Sequence, residues 1–98
     1  MRATQIEKLN ETAKSLGYSD VFTFASNHLR FHLMSKMEGY KQEVKLFEKK
    51  YKSDYTSFLK KVRKLKKEDF EKEDDIMDWE WAVESINHLE KKLKSLQA

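Results

Sequence analysis

The chain has no cysteine, no proline and only two glycines among its 98 residues. Without cysteine there is no disulfide, no thiol nucleophile and no cysteine-ligated zinc site. Sheet-rich folds need turn-forming residues at many corners, so this scarcity nearly excludes an all-β fold. No apolar run approaches the ~20 residues of a membrane span, and the first residues lack the apolar core of a signal peptide. We expect one helical domain, covering residues 1–98, in a reducing cytoplasm.

Helical periodicity runs through most of the chain. Thr4 and Glu7 have the spacing of a capping box, and Gly17 supplies the left-handed residue that commonly ends a helix. Ser19 is the next candidate N-cap. From there to Tyr51, nine apolar residues recur about every 3.6 positions, which predicts one unusually long helix. These residues are Phe22, Ala25, Leu29, Leu33, Met37, Tyr40, Val44, Phe47 and Tyr51.

We predict an all-α fold built on a long antiparallel helical hairpin. Its two arms are helices at about 20–51 and 74–96, with a short N-terminal helix at 4–16 and a short bridging helix at 54–67. Ser53 or Asp54 would cap the bridging helix. Residues 68–73 are interpreted as a turn, but they contain no glycine or proline, so a continuous helix through them stays open. The apolar stripe of the last helix repeats about every 3.3 residues, close to a coiled-coil seam.

The first arm of the hairpin has a second apolar surface, on the side opposite its main stripe. It consists of Val21, Phe24, Phe31 and Met34. A helix that is apolar on both sides must be covered on both sides. The N-terminal helix can cover part of this surface and a second copy of the chain can cover the rest. We therefore predict a homodimer with Phe24 and Phe31 in its interface.

The two tryptophans of the last helix, Trp79 and Trp81, point about 200° apart because they are two residues apart in the sequence. Trp79 belongs to the seam of the hairpin, whereas Trp81 shares a face with Met77. Two interpretations of Trp81 stay open. Either the bridging helix folds over it, or it anchors a partner protein, since tryptophan and methionine are enriched in interface cores.

The net charge of +3 conceals two blocks of opposite sign. Residues 41–67 hold eleven basic and three acidic residues, whereas residues 68–84 hold nine acidic residues and one lysine. Much of this arrangement matches the helix dipoles and needs no ligand. If the acidic block does bind a basic partner protein, the contact residues would be Asp74, Asp75, Met77, Asp78 and Trp81. The alternative is a nucleic-acid-binding accessory role for the basic segment, through Lys60, Lys61, Arg63, Lys64, Lys66 and Lys67.

Residues suited to catalysis or metal binding are sparse. His28 and His32 are four residues apart, a spacing that can bind a metal, but no glutamate of the H-E-x-x-H type lies between them. The chain has no phosphate-binding glycine loop, and its acidic residues lack the spacing of a calcium loop. We therefore expect no catalytic residues, no metal, no cofactor and no enzymatic activity.

Three segments carry a resemblance to known proteins: EVKLFEKKY at 43–51, YTSF at 55–58 and EDFEKEDDIMDWEWA at 68–82. Over residues 19–96 the chain resembles small all-helical archaeal and bacterial proteins of unassigned biochemistry, some of which look like antitoxins. It departs from them at Lys52 and Ser53, where a glycine would follow the tyrosine. The resemblance implies a protein-binding role without catalytic residues. The leading hypothesis is an antitoxin-like module that neutralises a cognate protein, such as a small basic toxin.

Overall fold

The computed structural model describes residues 3–96, and these residues form four α-helices. The helices are α1 (Ala3–Ser15), α2 (Val21–Tyr51), α3 (Tyr55–Leu65) and α4 (Phe70–Leu96). α2 packs along α4, α1 packs on α2, and α3 packs on α4. Lys50 contacts Asp75 at one end of the molecule, whereas Leu29 and Leu96 line one groove at the other, so α2 and α4 run antiparallel. The predicted all-α hairpin is confirmed.

The molecule is elongated, with extents of 65 × 23 × 23 Å. α2 alone has 31 residues, which at the usual helical rise gives a length of about 46 Å. This length follows from an apolar period that no proline interrupts. Within the part of the chain that the structure describes, no helix combines the length and the apolar character that crossing a membrane requires.

Aspartates are the N-cap residues of both α2 and α3. The carboxylate of Asp20 accepts a hydrogen bond from the Thr23 amide at 2.7 Å, whereas the expected N-cap, Ser19, pairs its hydroxyl with that of Thr23. Asp54, one of the two predicted caps of the bridging helix, accepts from the Ser57 amide at 2.7 Å. These backbone hydrogen bonds lower the pKa of both carboxyls. A carboxylate is favoured here because it satisfies a free amide and also faces the positive end of the helix dipole.

Two helices begin earlier than the sequence predicts. Ala3, the first residue that the structure describes, is already helical, so Thr4 lies inside α1, and the prediction of Thr4 as N-cap is wrong. α4 begins at Phe70 rather than at 74. The Asp69 carboxylate accepts from the Lys72 amide at 3.2 Å and caps this earlier start. The segment interpreted as a turn is therefore mostly helical, and the break between α3 and α4 lies at residues 66–69.

Lysines take the left-handed backbone conformation at two of the three interhelical turns. Gly17 has a φ of 95° after α1, as predicted, but Lys52 and Lys66 have φ values of 54° and 49° after α2 and α3. A residue with a Cβ atom loses about 1–2 kcal/mol in this conformation relative to the right-handed one. Attraction between a lysine and the negative end of the helix dipole offsets part of that loss. α2 and α3 thus end in left-handed residues without using glycine.

The core lies at the closed end of the hairpin, around Trp79. This side chain is fully buried, and its ring is surrounded by those of Phe47, Tyr51, Tyr55 and Phe58 at centroid distances of 5.5–6.2 Å. The predicted place of Trp79 in the seam is confirmed. α2 contributes rings to this cluster, but none of its own residues is fully buried. Much of the surface of the long helices is therefore open to solvent.

Candidate functional site

One side of α4 is exposed to solvent along most of its length. Trp79, Ala82 and Leu89 point inward and are buried. The opposite side carries a column of side chains at helical spacing, which we term the outer face of α4. The outer face consists of Phe70, Asp74, Met77, Asp78, Trp81, Ser85, His88 and Lys92. All of these residues except the half-buried Ser85 are exposed.

The apolar residues of the outer face are far more exposed than their size suggests. Phe70, Met77 and Trp81 are 78%, 67% and 64% exposed. Burying one such side chain fully is worth about 1.5–3 kcal/mol, so leaving three of them in one column forfeits a large stabilisation. Single exposed apolar residues are ordinary, but Met77 and Trp81 are neighbours one turn apart on the helix, and adjacent exposed apolar side chains are typical of interaction surfaces.

Trp81 forms one wall of a shallow groove between α2 and α4. The groove has a volume of about 270 Å³. Lys36 and Tyr40 line it from α2, and Ser85 and His88 line it from α4. The outer face therefore continues across the seam onto α2, and it offers both an aromatic wall and polar side chains.

The bridging helix does not cover Trp81. Phe58 and Tyr55 of this helix, α3, instead pack against Trp79, with ring centroids 5.5 and 5.6 Å away. The interpretation in which α3 folds over Trp81 is therefore wrong. The reason is geometric: a helix packed against Trp79 lies about 200° around α4 from the direction of Trp81.

Asp75 lies apart from the other predicted contact residues. Its side chain is only 16% exposed, and it accepts hydrogen bonds from Lys50 Nζ, at 2.7 Å, and from the hydroxyl of Tyr51. Lys50 also pairs with Glu71 at 2.9 Å. Burial alone would raise the pKa of Asp75, but the hydrogen bonds from Lys50 and Tyr51 outweigh it and lower the pKa. Asp75 therefore joins α4 to α2 within the molecule, whereas Asp74 and Asp78 remain on the outer face.

The basic and acidic blocks meet where α3 contacts α4. Arg63 of the basic segment pairs with Glu73 at 2.7 Å. Among the described residues, the five lysines of that segment make no ion pair and are exposed to solvent. These lysines are Lys60, Lys61, Lys64, Lys66 and Lys67. Of the six residues predicted to contact nucleic acid, Arg63 therefore joins α3 to α4, and the five lysines stay on the surface.

Of the predicted self-association pair, α1 covers part of Phe24 and leaves Phe31 exposed. Phe24 is half-buried, with the ring of Tyr18 edge-on at 5.0 Å and that of His28 stacked at 5.8 Å. It also lines a pocket with residues of α1, including Ala13. Phe31, two turns further along α2, is 69% exposed. As expected, α1 covers only part of the second apolar surface of α2.

Phe70 is the residue of the outer face that the sequence interpretation missed. It falls in the segment 68–73, which was predicted to be a turn. The available signal was its spacing, since Phe70 precedes Met77 by seven residues and Trp81 by eleven, both close to whole helical turns.

The described residues contain no cluster of three or more side chains that could hold a metal ion. His28 stacks on Phe24, and His32 is exposed. Comparisons with protein-family models, with curated proteins and with solved structures find no match to this chain.

The hydrogen bond between Tyr51 and Asp75 leads to a prediction about alkaline pH. Burial, then the hydrogen bond to Asp75 and its charge, raise the pKa of Tyr51 from 10.0 to about 12. A raised pKa means that the folded state holds the proton more tightly, so this stabilisation is complete below pH 10 and is lost as the pH rises towards 12. In an ultraviolet absorbance titration, we expect one tyrosine to ionise near pH 12.

The matched variants are Tyr51→Phe and Asp75→Asn. Tyr51→Phe should remove the late ionisation, and Asp75→Asn should shift it to lower pH without abolishing it, because burial remains. A titration curve that Tyr51→Phe leaves unchanged would contradict the assignment to Tyr51.

Proposed function

We propose that the protein is a non-enzymatic, antitoxin-like interaction module of the cytoplasm that binds and neutralises a cognate protein through the outer face of α4. The exposure of Trp81, at 64%, is the observation that carries this proposal. Trp81 stands beside Met77 on a stable helix, and it borders a groove. Exposed tryptophans in such surroundings commonly supply much of the binding energy of protein interfaces.

The charges on the outer face favour a basic partner. Asp74 and Asp78 flank Met77 and Trp81, and neither makes an ion pair or a hydrogen bond within the described residues. Two other acidic residues of this segment, Asp75 and Glu73, are already paired within the molecule. Two free carboxylates around an aromatic anchor suit a surface rich in lysine and arginine, as found on proteins that act on nucleic acids.

Affinity capture from the native host, followed by titration of the captured protein, tests this function. The wild-type chain should retain a basic protein, and Trp81→Ala should weaken its binding by about 30-fold or more. Asp78→Lys should weaken it further and reduce the association rate at low salt. Both positions are exposed, so circular dichroism should show an unchanged fold.

Leu46→Ala is the matched control. Leu46 is as exposed as Met77, at 67%, but it lies on α2 away from the outer face. Leu46→Ala should therefore bind the captured protein as the wild type does. If Trp81→Ala and Leu46→Ala bind equally well, the outer face is not the contact surface.

The alternative function, nucleic-acid binding by the basic segment, is favoured by the five exposed and unpaired lysines of α3 and its following turn. It predicts binding to DNA or RNA at low salt that weakens steeply as salt is added. Reversal of Lys60 and Lys64 to glutamate would then abolish it. The main proposal expects no such binding, so a salt-dependent shift that these reversals remove would favour the alternative.

A further inference from the structure

The outer face of α4 changes sign along its length. Asp74 and Asp78 lie in its first half, whereas His88 and Lys92 lie in its second half. The same polarity extends through the whole helix, which has acidic residues in its first turn and Lys94 in its last. A surface with opposite charges at its two ends is complementary to itself when a second copy is turned end over end.

We propose that a second copy of this chain occupies the outer face of α4, with the two α4 helices antiparallel about a twofold axis near residue 83. The register follows from the sequence positions. Asp74 and Lys92 lie nine residues either side of residue 83, and Asp78 and His88 lie five residues either side. In this register each aspartate faces a basic residue of the second copy, and the twofold axis repeats every pair.

The same register also pairs the apolar and small side chains. Trp81 and Ser85 lie two residues either side of the axis, so each indole ring packs over a small side chain of the second copy. Phe70 and Leu96 lie thirteen residues either side and meet at the ends; Phe70 is open to solvent, whereas Leu96 lies at the edge of the groove with α2 and is 36% exposed. α2 borders the outer face at the groove beside Trp81, but it leaves the side chains of this face exposed, except that of the half-buried Ser85.

The size of this interface indicates a reversible dimer. α4 has 27 residues and spans about 40 Å, and a helix is about 10 Å wide. Two such faces bury roughly 800 Å² in total, below the range of stable interfaces. A weak dimer of this kind covers Trp81 when the chain is alone and releases it to a competing surface.

The dimer also regulates binding of the cognate protein, and this regulatory role alone rests on the proposed function. The basic half of the second copy takes the place that a basic cognate protein would take. The dimer and the complex with the cognate protein are then mutually exclusive, because both cover Trp81.

Two single charge reversals, Asp74→Lys and Lys92→Asp, test the dimer by sedimentation equilibrium. In a homodimer each reversal places like charges opposite each other at both symmetric sites, so each should weaken self-association about tenfold. An equimolar mixture of the two variants should form a heterodimer of wild-type affinity, since both pairs are opposite in sign again. The double variant D74K/K92D should likewise regain the homodimer.

Lys94→Asp is the matched control, because Lys94 lies near the same helix end but about 200° around α4 from Lys92. It should leave self-association unchanged. A wild-type chain that stays monomeric up to millimolar concentration would overturn the dimer. A mixture no tighter than the separate variants would overturn the register, and a dimer that only Phe31→Ala weakens would place the interface on α2 instead.

Lys92→Asp also separates this inference from the proposed function. It weakens the dimer but keeps Asp74, Asp78 and Trp81, so the captured partner should bind it at least as well as it binds the wild type. If the variant becomes monomeric and still fails to bind the partner that the wild type binds, mutual exclusion is wrong although the dimer stands.

Discussion

Replacing Trp79 with alanine is expected to lower the free energy of unfolding by about 3–5 kcal/mol, enough to unfold a large share of the molecules. Among the described residues, Trp79 is the largest side chain that is completely inaccessible to solvent. It contacts rings from α2 and from α3, so its loss opens a cavity where three helices meet. Few other residues are buried, so little else holds these helices together.

Trp81→Ala is the matched control, since it makes the same change two residues away on the same helix. Trp81 is 64% exposed, so its replacement should alter stability by less than about 0.5 kcal/mol. Urea unfolding followed by circular dichroism measures both variants on one scale. Equal losses of stability for the two variants would contradict the assignment of Trp79 to the core and of Trp81 to the surface.

A third variant, Trp79→Phe, separates the effect of the cavity from the effect of removing the buried indole N–H. The indole nitrogen of Trp79 is buried and makes no hydrogen bond within the described residues. Phenylalanine keeps a ring among Phe47, Tyr51 and Phe58, and it removes a buried donor that has no acceptor. We therefore expect Trp79→Phe to lose much less stability than Trp79→Ala. A loss as large as that of alanine would show that the indole ring itself is needed.

The helix positions could be predicted because they depend on local pattern. Apolar residues at a helical period, with no proline to interrupt them, were enough to place α2 and most of α4. The same helical period places Trp79 and Trp81 on opposite sides of α4. Helix starts were harder, since Asp20 and Ser19 are both good N-caps and the structure uses the aspartate. At α4 the choice lies between Asp69 and Asp74. The structure uses Asp69, so the predicted start of α4 is four residues late.

The outer face could be predicted only in part, because its limits depend on contacts between distant residues. Met77, Asp74, Asp78 and Trp81 share one side of a helix, so spacing alone brought them together. Asp75 was assigned to the same surface because it is adjacent in the sequence and acidic. Its hydrogen bond from Tyr51, 24 residues earlier, becomes visible only when α2 and α4 are packed.

Asp75→Ala is expected to have the second largest effect on stability, a loss of about 1–3 kcal/mol. The Asp75 side chain is 16% exposed and accepts hydrogen bonds from both Lys50 and Tyr51. Removing it leaves the half-buried Tyr51 hydroxyl without its acceptor and separates the charge of Lys50 from its nearest partner. The interaction joins the end of α2 to the start of α4, next to the aromatic core.

Asp74→Ala is the matched control, because Asp74 is the adjacent aspartate and lies on the exposed outer face. It should change stability by less than about 0.5 kcal/mol. A double-mutant cycle with Tyr51→Phe should show coupling to Asp75 and none to Asp74. Additive effects of Asp75→Ala and Tyr51→Phe would refute the proposed hydrogen bond.

The acid dependence of stability supplies an independent check on Asp75. Its pKa is lowered below 3.8 in the folded chain, since the hydrogen bonds from Lys50 and Tyr51 outweigh the effect of burial. A lowered pKa means that the folded state releases the proton more readily. The stabilisation is therefore complete above pH 3.8 and is lost as the pH falls through the lower, folded-state pKa.

Asp75→Asn isolates this contribution, because the helix-capping carboxylates Asp20 and Asp54, whose pKa values are also lowered, are present in both chains. The difference in unfolding free energy between wild type and Asp75→Asn should be constant near neutral pH and should shrink as the solution becomes acidic. Urea unfolding at a series of pH values measures that difference directly. A difference that grows on acidification would mean that the folded state raises the pKa of Asp75, so that burial and not Lys50 and Tyr51 dominates at this position.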